Sequence, residues 1–558
     1  MKSKSRAKKI TKSIGLAGAL SIVSATLASC GSSLAFQSSV QLVVSDAGST
    51  LADQSFSEST FNGIRKFFSD KGYSVPEASD NSISENNGLW KRPGKSDQDR
   101  INSYRQIMTD GSQVAVATGF NQDNALNTIL KDEILYNEFK NFGFIFVDGL
   151  IESAENGTNI SSVTFETESA AFLTGIASGV LLNKHKDWYH TVKVDEKDTF
   201  GISGYVGLAL PSTTNFLNGF RLGAIFFNEY IQPRIKDAKK LSWIVSDDSN
   251  KGSRDTLVPD VSGSFKDTEQ RARTITDTLI DNGASLIYPV AGPQTSLTQA
   301  SILAKKDKHV QIIGVDTAQE DLSSTERLEG APGNKTIAFS TVKALDTAVY
   351  SVLKAIETGK EFNGFYGYGW NNWATLSNGG VSLSNPGLEY LPDLNDLFTQ
   401  TKEGSEEQPK EQQGSKMTED KQTEASTETA PADKGLNVKY GTSSKTIEIA
   451  NLKTAKEEAS RKSIIEQYIQ ILAGKSPFFA EENEKTRWHI KGTELYTFAT
   501  KVNGDAKLIP LLKPANATDE DLQQWSHASA IFKDGKSYKK AKGELLNQST
   551  LPFEFKRA

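Results

Sequence analysis

The chain has 558 residues, a formal net charge of −6, 37% hydrophobic and 24% charged residues, and one cysteine. That length accommodates two or three domains, and the lone cysteine excludes an intrachain disulfide framework. The acidic balance is a poor match for nucleic-acid polymers or anionic membranes.

In chain order, the first feature is a basic stretch, Lys2, Lys4, Arg6, Lys8, Lys9 and Lys12, followed by apolar residues from Ile14 to Leu27. This pattern reads as a signal peptide over residues 1–29, its apolar run too short for a bilayer span. Leu27-Ala28-Ser29-Cys30 resembles the lipobox of bacterial lipoproteins, in which the cysteine becomes the acylated N-terminus. Residues 30–40 are then a lipidated tether. Two or three acyl chains, at about 0.8 kcal/mol per buried methylene, give a stable anchor.

From residue 41 to 400, short apolar runs alternate with amphipathic stretches. Gln41–Val44, Val114–Thr118, Phe144–Val147, Leu241–Val245, Leu286–Val290 and Val310–Val315 read as buried strands. Phe56 to Phe68, Ser169 to Leu182, Asn215 to Tyr230, Glu269 to Asp281 and Ala344 to Glu357 read as helices. Such alternation implies parallel sheets covered on both faces, and the length implies two lobes. Residues 401–435 are Glu, Lys, Gln, Thr and Ser with little to bury, and read as a disordered polar linker. Residues 436–558 read as a small α+β module with a helix over Ala455 to Leu472 and a strand over Glu494–Thr500.

Catalytic and phosphate-binding motifs fail on inspection. Gly94-Lys95-Ser96 ends like a P-loop, but Leu89 stands where the first glycine is needed and Pro93 spoils the turn; the segment reads as a surface loop with no strand leading in. His185 and His190 are five apart and unsupported by other metal ligands, so they read as surface histidines. No nucleophile elbow is present, and nothing calls for a cofactor. What recurs instead is polar residues ending strands: Asp46 after Val44, Gly119 and Asn121 after Thr118, Asp148 after Val147, Gly292 after Val290 and Asp316 after Val315. Ligands of open α/β sheets collect at such carboxyl ends.

Several segments together are similar to the basic membrane protein family, the nucleoside-binding lipoproteins of ABC importers. They are Ser45-Asp46-Ala47-Gly48 with Asp53-Gln54-Ser55-Phe56-Ser57, the stretch Val163 to Gly175, Tyr205-Val206-Gly207, Phe216, Gly219-Phe220, Gly223, Ile312 to Asp316 with Gln319, and Ser340 to Lys343. Ser57 stands where the family usually has Asn, and Pro293 where it usually continues with Gly and Thr. The resemblance covers about Gln41 to Phe398. It implies a type I periplasmic-binding-protein fold, two doubly wound lobes with a hinge that close on ligand. It also implies roles: Phe56 and Phe265 sandwich a nucleobase, Asp316 accepts the ribose hydroxyls, and Lys343 donates to ribose and neutralises Asp316. Asp46 and Asn121 read base edges, Asp148 lines the cleft, and Gly292 lets backbone approach the ligand. The implied protein is a non-enzymatic nucleoside-capturing lipoprotein on the outer face of the cell membrane, partnered by an ABC permease. The alternative is a surface adhesin on the same scaffold, with the C-terminal module engaging another macromolecule.

Overall fold

The computed structural model describes residues 36–45, 50–52, 56–85, 87–153, 155–246, 260–321, 327–398, 446–473, 496–502, 505–511, 536–546 and 555–557. Cys30, Asp46 and the expected linker over residues 401–435 lie outside them. The chain forms two units. Of the described residues, the first holds those up to Phe165, Ala344–Ala374 and those beyond Asp534; the second holds Glu166–Lys343 and those from Thr375 to residue 511.

The first unit is built on one sheet. From edge to edge its strands are Trp90–Lys91, Val40–Val43, Val114–Thr118, Gly143–Val147, Ile160–Phe165 and Trp370–Ala374, all parallel, with Tyr538–Lys539 added antiparallel at the far edge. In chain order of the parallel strands this is 2-1-3-4-5-6, a doubly wound arrangement. The strands Val40–Val43, Val114–Thr118 and Gly143–Val147 are buried at every residue. A sheet covered on both faces needs no polar alternation. Helix Phe56–Ser69 buries Phe61, Ile64, Phe67 and Phe68, the apolar face its spacing predicts.

The expectation that no strand leads into Gly94-Lys95-Ser96 is overturned. Trp90 and Lys91 form a short buried edge strand that leads into the Gly94-Lys95-Ser96 segment. Ser96 is the N-cap of helix Asp97–Thr109: its Oγ accepts the Asp99 N–H at 3.2 Å, and the Asp99 carboxylate accepts the Ser96 N–H at 3.0 Å. That reciprocal capping box explains the Ser-x-x-Asp spacing without phosphate.

The second unit repeats the order. Leu241–Ile244, Lys197–Val206, Ala284–Val290, Gln311–Asp316 and Ile337–Lys343 run parallel, and Val381–Leu383 closes one edge antiparallel. Helices Thr167–Lys184 and Pro211–Phe226 pack backbone against backbone. A Cβ added at Gly223 would lie 1.9 Å from the Phe172 carbonyl oxygen and 3.0 Å from Gly175 Cα. Pieces of residues 436–558 join both units. Tyr496–Val502 pairs parallel with Leu241–Ile244 and carries Asp505–Leu511 beside it, while Tyr538–Lys539 borders the first sheet. In helix Glu458–Leu472, the Tyr468 hydroxyl donates to the Pro392 carbonyl at 2.8 Å and Gln467 Oε1 accepts the Leu394 N–H at 2.8 Å.

The histidines of the second unit make it acid-sensitive. His185, half-buried with Nε2 3.2 Å from the Tyr390 hydroxyl, has its pKa pushed below 6.5 by burial and then by Lys184. His190 is lowered by burial, then by His309, whose ring lies 4.5 Å away, and by Lys308, with Asp307 opposing. Both titrate lower when folded, so the unfolded chain takes up protons first on acidification. The stability is whole above about pH 6.5 and is lost as pH falls from there through the lowered folded values. We expect the thermal midpoint to fall across this window, and a His185→Gln/His190→Gln variant to flatten the slope. The Asp70, Glu138 and Glu357 carboxylates are held below their ordinary range and titrate below this window.

Candidate functional site

The carboxyl ends of the parallel strands supply a face on each unit. In the first, the winding reverses between Val40–Val43 and Val114–Thr118, where diverging connections leave a crevice. Gly119 sits there at φ 89°, its N–H donating to the Val147 carbonyl at 2.9 Å. An added Cβ would come within 2.9 Å of Ser45 Cβ and 4.0 Å of Phe56 Cε1, so both the left-handed backbone and the close approach require glycine. Phe56 opens its helix at this point and is half-buried. Asn121 is half-buried in the 3-10 turn Phe120–Gln122. The turn is fixed by Gln122, which donates from Nε2 to the Val44 carbonyl at 2.9 Å and accepts from the Tyr104 hydroxyl at 2.7 Å. Asp148 follows the fourth strand at φ 70°, its N–H donating to the Val163 carbonyl at 2.8 Å.

In the second unit, the reversal falls between Lys197–Val206 and Ala284–Val290. The Gly207 N–H donates to the Val290 carbonyl at 3.1 Å, and the Gly263 N–H to the Gly207 carbonyl at 2.8 Å. Phe265 lies over this junction, half-buried, with Cδ1 2.6 Å from where a Gly207 Cβ would be. Its inner edge packs on the apolar cluster that includes Tyr205 and Ile287. Gln294, wholly buried, holds the Phe265 loop: it accepts from the Ser262 hydroxyl at 2.8 Å and donates to the Ser264 carbonyl at 2.7 Å. Gly292 has φ 54° and open space where a Cβ would project.

Asp316 and Lys343 end neighbouring strands, and Lys343 Nζ stands 3.7 Å from Asp316 Oδ1. The lysine side chain is 4% exposed and the aspartate 16%. A charge so deeply placed is held by its partner, because either one alone would bear an uncompensated desolvation cost. The ammonium also lies 5.4 Å from the Phe216 ring centroid. Phe216 in turn meets buried Tyr288 edge-on at 6.0 Å. Burial pushes the Tyr288 hydroxyl well above its usual range, and the Asp316 charge adds a smaller push. Gln319 fixes the turn after Asp316, accepting the Val315 N–H at 2.9 Å and the Thr295 hydroxyl at 3.2 Å.

Asp148 and Asp316 occupy the same rank, at the end of the fourth strand of their respective sheets, and both are left-handed, with φ 70° and 64°. Aspartate is among the few L-residues that tolerate this region, and such backbone concentrates at ligand sites. Thus the structure brings Phe56 and Asn121 to one crevice with Asp148 on the adjoining strand. It brings Phe265 and Gly292 to another, with Asp316 and Lys343 on the strands beyond. Gln122 and Gln294 were not singled out by sequence; a glutamine a few residues after a strand-end glycine was the available signal.

A family model described as ABC transporter substrate-binding protein PnrA-like, Bmp, matches residues 40–254. An uncharacterized lipoprotein of Mycoplasma genitalium is 42% identical over 437 residues, 68% of this chain and 73% of the relative. Its Mycoplasma pneumoniae homolog is 38% identical over 440 residues, 69% of this chain and 67% of that protein. Among solved structures, an ABC transporter solute-binding protein from Aeropyrum pernix K1 is 19% identical with a TM-score of 0.44, covering 66% of this chain and 82% of that one.

Proposed function

Because the chain belongs to the Bmp family of PnrA-like ABC transporter substrate-binding proteins, we propose that it captures a nucleoside, of the purine class, for delivery to a membrane permease. The observation that carries this reading is the Asp316–Lys343 pair at neighbouring strand ends. A carboxylate has two oxygens for the vicinal hydroxyls of a ribose, and the cation beside it offsets its charge. The aromatic rings fit the other half of the ligand. Phe56 and Phe265 each stand at the winding reversal of a sheet, and a nucleobase offers two faces for stacking. Asn121 has both a donor and an acceptor for a base edge. Asp46 and Asp148 complete the polar set, and the open space beside Gly292 leaves room for ligand. On this reading nothing is turned over, and Cys30 carries lipid that holds the protein at the outer face of the membrane.

Calorimetric titration with adenosine, guanosine, inosine, cytidine and uridine tests it. Saturable one-to-one binding of purine nucleosides supports the reading; no heat from any of them, with protein confirmed folded, removes it. Base–aromatic stacking is worth roughly 1–3 kcal/mol. Phe56→Ala and Phe265→Ala are each therefore expected to weaken binding by about five- to 150-fold, while Phe265→Tyr retains most of it. Equal affinity in both alanine variants would show that these rings belong to the core alone.

A further inference from the structure

The first unit carries a concentrated basic edge on an otherwise acidic chain. Lys536, Lys539 and Lys542 are exposed and Lys540 is half-buried. None of the four makes an ion pair among the described residues, and Glu544 is the one carboxylate in residues 536–546. Other carboxylates of the same unit are engaged: Glu138 with Arg105, Asp70 with Lys66 and Tyr350, and Glu357 with Lys71 and Lys354, while exposed Glu361 accepts the Gly364 N–H.

The position of this edge is defined by the sheet. The Lys540 and Ala541 N–H groups donate to the Gly369 carbonyl at 2.8 and 3.1 Å, immediately before strand Trp370–Ala374 begins. The Leu546 N–H donates to the Thr158 carbonyl at 2.9 Å, just ahead of Ile160–Phe165. Residues 540–546 therefore run along the amino ends of the parallel strands, opposite to the ends that carry Asn121 and Asp148. Exposed Lys140 precedes Gly143–Val147 at the same end. Trp370 and Tyr366 stack at 3.8 Å beside it, both half-buried.

The chain enters the unit at this end too. Phe36–Ser38 pairs antiparallel with Phe555–Arg557 and leads directly into Val40–Val43. Phe36 is six residues after Cys30, a span of at most about 20 Å when fully extended. If Cys30 is acylated, the amino ends of these strands lie within that reach of the headgroups.

We infer that the amino-end face of the first unit, through Lys539, Lys540 and Lys542, seats on the anionic surface of the membrane to which the chain is tethered. Tryptophan and tyrosine favour the headgroup level, and basic residues near an anionic surface each add attraction. The more strongly acidic balance of the chain beyond residue 29 does not oppose this, because charges farther than a Debye length, about 8 Å at physiological salt, are largely screened. Seated so, the unit turns its strand carboxyl ends away from the lipid. The inference rests on the lipid-anchor reading for its biological setting, but its test does not use the anchor.

The chain from Gly31 onward, without lipid, is sedimented with vesicles of phosphatidylglycerol and phosphatidylcholine, and with phosphatidylcholine alone. Binding to the anionic vesicles only, weakened at least about tenfold by Lys539→Gln/Lys540→Gln/Lys542→Gln and by added salt, is the expected result. The corresponding triple Lys→Arg variant keeps the charge and must retain binding; circular dichroism confirms that both variants fold. No binding to anionic vesicles, or equal binding by the glutamine variant, overturns the inference. So does a preference for single-stranded oligonucleotide over vesicles, which would make the patch a nucleic-acid site. Mass analysis of Cys30 in the membrane-extracted protein tests the anchor separately.

Discussion

Asp316→Asn is expected to weaken nucleoside binding by about 100-fold or more. Asparagine tolerates the left-handed backbone at φ 64° as aspartate does, so the turn survives and the loss reports charge. Hydrogen bonds to an ionised group are worth about 1.5–3 kcal/mol each, and two ribose hydroxyls would lose theirs together. The substitution also removes a negative charge 3.7 Å from the Lys343 ammonium, whose side chain is 4% exposed, so a lower thermal midpoint should accompany the loss. Asp316→Ala should bind no better and be less stable than the asparagine variant, since alanine is strained in that conformation. Calorimetric titration beside thermal unfolding separates the two effects. A change in affinity below about threefold in the asparagine variant would mean that the carboxylate does not meet the ligand.

The second large effect is on stability. Gly223→Ala should cost the second unit about 3 kcal/mol, the upper part of the range for overpacking, although alanine is the better helix former by about 1 kcal/mol. The added carbon would fall 1.9 Å from the Phe172 carbonyl oxygen, an atom that cannot rotate away because it belongs to a helix backbone. Gly175 and Gly219 meet the opposite helix in the same manner, with backbone oxygen 2.2 Å from an added Cβ in each case. Relief would require separating helices Thr167–Lys184 and Pro211–Phe226 along their length. Chemical denaturation of Gly223→Ala checks this; a loss below about 1 kcal/mol would show that the helices separate easily.

Strands with continuous apolar runs were legible within a residue or two: Val114–Thr118 was read with the bounds it has, and Gln311–Asp316 one residue early. The strand Trp370–Ala374 was not read, for a physical reason. Asn371 and Asn372 are wholly buried in it, and their amides are satisfied by other groups. Asn371 accepts the Ile151 N–H at 2.9 Å and donates to Tyr538 Oη at 2.8 Å, and Asn372 donates to Ser161 Oγ at 2.9 Å. Partners more than 150 residues away in sequence turn a polar run into core, and no local pattern announces them. The strand Ile160–Phe165, with Ser161 and Ser162 buried, was hidden by the other half of the same network. At the site, the strand-end polar residues were visible singly, and the resemblance to a known family named Phe265 and Lys343. The 3.7 Å pairing of Lys343 with Asp316 and the glutamines that brace the turns depend on strand order, which hydrophobic periodicity does not specify.

The division of the chain between the units has a consequence for synthesis. The first sheet lacks its sixth parallel strand until Trp370–Ala374 has been made and its outer edge until Tyr538–Lys539, and Phe36–Ser38 waits for Phe555–Arg557. No early-emerging fragment can therefore close that sheet, and an incomplete chain exposes a strand edge able to pair with other chains. Contacts so distant in sequence also slow folding, since loop closure precedes their reward. The first sheet is therefore completed late, by strands that reach back across the whole of the second unit in sequence.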